Sequence, residues 1–198
     1  MAKFIKLRIS EVSESRKKLK DIPRGQTFEY CGREWIVLEH QNVGSTLVLL
    51  KNPIGRMPFD KYNCNNWAKS SLRQYLNSVF LGEMCGENSR SKLGFCVWKT
   101  DLTADDGLKD YGSSLDIISL LTCDLYRKHR DILEPIDESW WLATPSTTLV
   151  ADSYIVRYVL TNGALNNSGV CCEKGSVRPI CCLSSDILVE TSKGTSNA

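Results

Sequence analysis

Hydrophobic and polar residues alternate along this chain in short runs, most of which read as strands rather than helices. Residues 3–9 mix alternation with apolar character, like an edge strand. Residues 10–20 are polar and fit either a short helix starting at Ser10 or Ser13 or a connector. Pro23-Arg24-Gly25 is a turn, and residues 27–30 and 33–39 read as a hairpin around Cys31-Gly32. In its second arm Trp35, Val37 and Glu39 share one face, and Ile36 and Leu38 share the other. Residues 46–51 look like a buried strand. A loop over 52–66 leads to a helix over 67–80, capped by Asn65-Asn66, with Leu72, Leu76, Val79 and Phe80 in one apolar stripe.

The second half repeats the theme. Residues 82–94 read as an exposed connection, 95–99 as a short strand and 101–114 as a polar loop. Residues 116–121 form an apolar strand, and Thr122 caps a helix running to about Leu133, stopped by Pro135. Residues 139–143, 154–160 and 177–183 complete the strands, and residues from 184 trail off in Ser, Thr, Lys and Gly. The whole predicts an α+β fold: a mixed sheet, two main helices and long loops. A basic segment over 1–21 precedes a domain over 22–190, and 191–198 form a disordered tail.

Charge and cysteine content narrow the function. The 198 residues carry a net charge of only +2, which argues against a dedicated nucleic-acid binder. The charge is uneven, because residues 1–24 hold eight Lys or Arg against three acids. Arg16, Lys17, Lys18 and Lys20 are therefore candidate contacts to an acidic partner, and nucleic acid enters the picture only through this segment. Charges interrupt the first apolar residues, and no apolar run approaches the roughly 20 residues of a membrane span. These features point to a cytoplasmic protein with no direct membrane insertion.

Nine cysteines in such a setting read as reduced thiols. In Cys171-Cys172 and Cys181-Cys182, strand geometry sends neighbouring side chains to opposite faces. No C-x-x-C spacing suggests zinc, so no metal or cofactor is expected. His129 reads as a surface residue among Arg127, Lys128 and Arg130, and His40 as a loop residue. No nucleophile elbow, Walker loop or dinucleotide fingerprint occurs. Arg73 and Arg178 read as structural cations, each anchoring a buried carboxylate. Trp140 and Trp141 should face opposite sides of a strand, one in the core and one at the surface.

Several strings in order carry a resemblance: Gly25-Gln26-Thr27-Phe28, Glu34-Trp35-Ile36-Val37-Leu38, Asn66 to Phe80, Ile117 to Tyr126, Ser139 to Thr144, and Gly175 to Ile180. Together they resemble a bacterial and phage domain family of unknown function. That family in turn resembles the C-type-lectin-like fold of formylglycine-generating enzymes and diversity-generating phage receptor-binding proteins. Calcium-dependent lectins carry a Glu-Pro-Asn or Gln-Pro-Asp triplet and a Trp-Asn-Asp triplet. Here Glu134-Pro135-Ile136-Asp137 is a partial echo and Trp-Asn-Asp is absent. The oxidase relatives use a cysteine pair near the C-terminus, but no matching motif surrounds Cys181-Cys182.

The resemblance implies a non-catalytic binding module, phage- or prophage-encoded, recognising a host protein or surface polymer. An inhibitor of a bacterial defence system is one form this could take. Recognition falls to the loops 52–66, 82–94, 101–114 and 161–176, with Trp141, Asn162, Asn166, Asn167 and Lys174 as candidate contacts. The alternatives are a thiol- or metal-dependent enzyme and a virion structural or receptor-binding component.

Overall fold

A computed structural model describes residues 16–173 and 175–191. The expected strand over 3–9, most of the polar segment after it, Lys174 and most of the tail lie outside the described residues. The chain folds as a mixed α+β protein built mostly from strands, with one main helix.

The largest element is a curled, half-barrel sheet of eight antiparallel strands. Its order is β1 (Arg16–Lys18), β13 (Leu188–Thr191), β2 (Thr27–Tyr30), β3 (Arg33–Gln41), β4 (Ser45–Leu50), β12 (Pro179–Ser184) and β5 (Phe95–Cys96). The eighth strand, β8 (Ile118–Leu120), shares the outer edge of β12 with β5. A three-stranded sheet is formed by β9 (Trp140–Pro145), β10 (Ile155–Val159) and β11 (Leu165–Gly169). A two-stranded ribbon pairs β6 (Trp98–Asp101) with β7 (Ser113–Asp116). Residues 16–18, from the polar stretch, are thus an edge strand, and residues 188–191, within the stretch expected to trail off, supply β13.

Strand alternation divides the core in two. Trp35, Val37, Val48, Leu50, Cys181 and Leu183 belong to one apolar cluster. Their neighbours Ile36, Leu38, Leu47, Leu49, Ile180 and Cys182 belong to the other. Both faces of the central strands are therefore buried, which is why β4 reads as a continuous apolar run. Trp141 and Trp140 obey the same alternation, one in each cluster. The expected surface tryptophan is corrected, because both faces of β9 are covered and the two side chains are 0% and 2% exposed.

The hairpin between β2 and β3 turns at Cys31 (φ 50°) and Gly32 (φ 67°), two left-handed residues that match the twist of the strands.

The main helix spans 71–85 and differs from the expected one at both ends. Asn66 caps only a short turn over Trp67–Lys69, and Ser70 caps the helix proper by accepting from the Arg73 amide at 3.1 Å. A π turn over Leu76–Phe80 inserts an extra residue into the repeat. The apolar stripe therefore continues through Leu81, Met84 and Cys85, and Val79 is left exposed. Asn77, in that turn, donates to the Arg73 and Ile118 carbonyls and accepts from the Ile117 and Ile118 amides. It thereby ties the helix to β8.

The second helix is short. Thr122 caps it as expected, through the Leu125 amide at 3.2 Å, but it covers only Cys123–Lys128. The chain leaves it at His129 and makes one further tight turn over Arg130–Ile132.

Two arginines show how far sequence reading reaches. Arg73 does anchor a buried carboxylate, since its Nε lies 2.5 Å from Asp116. Arg178 does not. Its guanidinium donates to the Leu50 carbonyl at 2.9 Å and packs over the Trp140 ring at 5.2 Å. Burial lowers its pKa to about 10.

Candidate functional site

The loop over 52–66 is pinned rather than loose. The Asp60 carboxylate accepts from the amides of Tyr62, Cys64 and Ser71 at 2.8, 3.0 and 2.8 Å. Asn65, fully buried, donates to the Thr147 and Ile155 carbonyls and accepts from the Tyr111 hydroxyl. This rigid loop lies against the segment 172–176 and the three-stranded sheet. Ile54 and Met57 donate to the carbonyls of Val177 and Gly175 at 2.9 and 3.2 Å.

Two cavities flank this loop, one on the side of the three-stranded sheet and one on the side of the main helix. One, of about 380 Å³, is bordered by Arg56, Asp137, Glu138, Tyr158, Ser168 and Cys172, with Trp141 in its wall. The other, of about 590 Å³, is bordered by Met57, Pro58, Lys61, Leu72, Tyr75 and Glu173. Arg56 borders both, so they form one double cleft. Arg56 Nε donates to Glu138 at 3.1 Å, and the Ser176 hydroxyl donates to the same oxygen. The Ser176 hydrogen bond first, and then Arg56, hold the Glu138 carboxyl below the usual carboxylate range.

Aromatic rings line the interior side of the cleft. Trp141 lies 5.9 Å from Tyr158 and 6.2 Å from Phe59, and its indole donates to the Met57 carbonyl at 2.8 Å. The cleft thus offers apolar and aromatic walls, hydroxyls, and charges of both signs. That mixture suits polar recognition on an apolar base.

The residues singled out in the sequence are only partly gathered here. Trp141 contributes a buried wall rather than an exposed anchor. Asn162, Asn166 and Asn167 are exposed on the β10–β11 hairpin, whose Tyr158, Thr161 and Ser168 border the cleft. Their own side chains turn to local partners: Asn162 accepts from the Ala164 amide, Asn166 from the Asn167 amide, and Asn167 from Arg157. The expected loop over 161–176 is partly strand, because β11 occupies Leu165–Gly169. Arg56, Asp137, Glu138 and Tyr158 carried no local signal of a shared site, since they come from separate segments.

The basic segment lies elsewhere. Arg16 pairs with Glu190 at 3.1 Å, and Lys18 and Lys20 both pair with Asp186, at 3.2 and 2.9 Å. Of the four cations proposed as contacts, Lys17 alone has no acidic partner among the described residues. Arg16 also borders a separate cavity of about 450 Å³ with Glu29, Cys31 and Glu190.

Most of the thiols are buried or half-buried. Burial raises the thiols of Cys31 to about 11 and Cys182 to about 12, and raises those of Cys85, Cys96, Cys123 and Cys181. All six are therefore mostly protonated at neutral pH, which slows their reaction. Among the described residues no three His, Cys, Asp or Glu side chains are grouped to hold a metal ion. His40 is on β3, not in a loop, and its ring nitrogens engage Thr46 and the Ile22 carbonyl at 2.9 Å each.

His129 is buried, not on the surface, and stands 3.5 Å from Glu39 and 3.5 Å from Arg24. Burial lowers its pKa; Glu39 and Asp131 oppose that shift, whereas Arg24 and Lys128 reinforce it. A histidine depressed in the folded state stabilises the fold fully above its unfolded value of about 6.5, and that stability is lost as pH falls below it. Denaturant unfolding should therefore show a loss of stability between about pH 7 and 5, at no more than ~1.4 kcal/mol per pH unit from this group. The variant His129→Gln should flatten that slope; an unchanged slope would show that other groups cause it.

A domain of unknown function, DUF6273, is found at residues 95–185. That span holds β5 to β12, including the strands behind one side of the cleft. Neither the curated proteins nor the solved structures contain a match to the chain. Among the described residues no helix is long and apolar enough to cross a membrane.

Proposed function

We propose that the chain is a non-catalytic binding module of C-type-lectin-like architecture, which receives a host macromolecule in the double cleft around Arg56. The observation that carries the reading is the cleft itself. Two cavities of about 380 and 590 Å³ share one arginine, the first between the pinned loop and the three-stranded sheet and the second between that loop and the main helix. A rigid site of this kind loses little conformational entropy on binding.

The partner in this reading is a host protein, with a surface polymer as the other candidate. The resemblance in the sequence supports a phage or prophage origin, and with it an inhibitor that covers a working surface of a bacterial defence protein. Nine unpaired cysteines fit a cytoplasmic setting.

The test is a tagged pull-down from bacterial lysate with nuclease, run with the native chain, Arg56→Glu and Tyr158→Ala. One protein should be recovered in near-equal amount with the native chain and fall at least tenfold with either variant. Recovery that ignores both substitutions would place recognition outside the cleft. Recovery of nothing would turn attention to glycans and cell surfaces.

A further inference from the structure

We infer that Cys96 and Cys182 form a reversible cross-strand disulfide site that fastens β5 to β12. The two cysteines are register partners on antiparallel strands. Directly opposed residues project from the same face, with Cα atoms about 4.5–5.5 Å apart. A disulfide needs roughly 4.4–6.8 Å. Core membership confirms the shared face: Cys182 lies within the second apolar cluster and Cys96 packs against that same cluster. The adjacent pairs Cys171-Cys172 and Cys181-Cys182 lack this relation; Cys181 belongs to the opposite cluster from Cys182.

Each sulfur is held only by a weak contact, Cys182 to Gln41 Oε1 at 3.7 Å and Cys96 to the Gly94 carbonyl at 3.5 Å. Rotation of the two side chains toward each other gives up little. The strand also has reason to need fastening, because β5 meets β12 at only two residue pairs.

Exposure sets the order of events. Cys96 is half-buried and Cys182 is 1% exposed. With a small organic disulfide as oxidant, the Cys96 thiol loses its proton to solvent and attacks one sulfur. A mixed disulfide forms and the first thiolate leaves. Cys182 then loses its proton and attacks the Cys96 sulfur, and the second thiolate leaves. One small disulfide is reduced to two thiols while the two cysteines are oxidised. Burial of both thiols makes the exchange slow at neutral pH and faster as pH rises. The closed loop from 96 to 182 would contain the three-stranded sheet and much of the cleft wall.

The experiment incubates the full chain with oxidised glutathione at mild alkaline pH and reads intact mass and a non-reducing peptide map. The expected product has lost two hydrogens, links the peptides of Cys96 and Cys182, and reverts with dithiothreitol. Its melting midpoint should rise by roughly 10 °C. Cys96→Ser, at a half-buried position, should still fold by circular dichroism and should not yield this product. A stable glutathione adduct on Cys96, a link between other cysteines, or no change in mass would each overturn the inference.

Discussion

Asp116→Ala is expected to lower the folding free energy by about 3–5 kcal/mol, the cost of breaking a buried ion pair from one side. The carboxylate is fully buried and gathers donors from four elements, the turn over Trp67–Lys69, the main helix, β6 and β7. The indole of Trp67 donates to it at 3.1 Å, the hydroxyls of Thr100 and Ser114 at 2.6 Å each, and Arg73 Nε at 2.5 Å. Deleting it leaves Trp67 and Ser114 unsatisfied in the interior, while Thr100 keeps the Ser119 hydroxyl at 3.0 Å, and a buried donor without an acceptor costs about 1–3 kcal/mol. These losses overlap, so they do not add in full. Arg73 keeps its bonds to the Leu115 and Ala68 carbonyls and is partly solvated, which limits the damage on its side. Asp116→Asn should fall between, because it keeps the volume and one acceptor but turns an amide toward donors. Thermal unfolding should show the alanine variant melting roughly 10 °C lower. A change below about 1 kcal/mol would mean that water or a neighbouring group can replace the carboxylate.

The same carboxylate marks the limit of what sequence alone reveals. That Arg73 serves as a structural cation anchoring an acid was legible as an expectation. Which acid was not, since Asp116 is 43 residues away and meets Arg73 only when the β6–β7 ribbon folds onto the helix. Features set by neighbouring residues were legible in general: the Cys31-Gly32 turn, the Thr122 cap, and the opposite facing of Cys181 and Cys182. Val79 was misplaced because one inserted residue in the π turn shifts the phase of everything after it. Arg178 meets a carbonyl and an indole in place of the expected carboxylate, partners that only the folded chain brings to it, whereas Trp141 was misplaced for a different reason. Alternation states that two side chains diverge, but not whether anything covers the second face. Here both faces of β9 are covered. The cleft was the least legible feature, being assembled from segments around residues 56, 75, 138, 158 and 173 that share no local pattern.

Gly175→Ala should be the more informative substitution at that cleft, costing roughly 2–4 kcal/mol of stability and abolishing partner capture. The glycine is needed for space, not for backbone freedom. A Cβ at this position would fall 2.0 Å from Trp141 Cε2 and 2.3 Å from its Nε1. The indole cannot retreat, because it is fully buried against Phe59 and Tyr158 and tied to the Met57 carbonyl at 2.8 Å. Gly175 and Ser176 must then lift instead. Lifting them strains the bond from the Met57 amide to the Gly175 carbonyl, at 3.2 Å, and that from the Trp141 amide to the Ser176 carbonyl, at 3.0 Å. Either movement reshapes the wall shared by the two cavities. Tryptophan emission should shift as the indole loses its partner, and the pull-down should lose its captured protein even at temperatures where the variant is folded. Gly82→Ala supplies the contrast. That glycine lies in the main helix with nothing within 4 Å of a new Cβ, so the same added methyl should stabilise by about 0.5–1 kcal/mol and leave capture intact. If Gly175→Ala melts and binds like the native chain, the loop beside the cleft is more compliant than its hydrogen bonds imply.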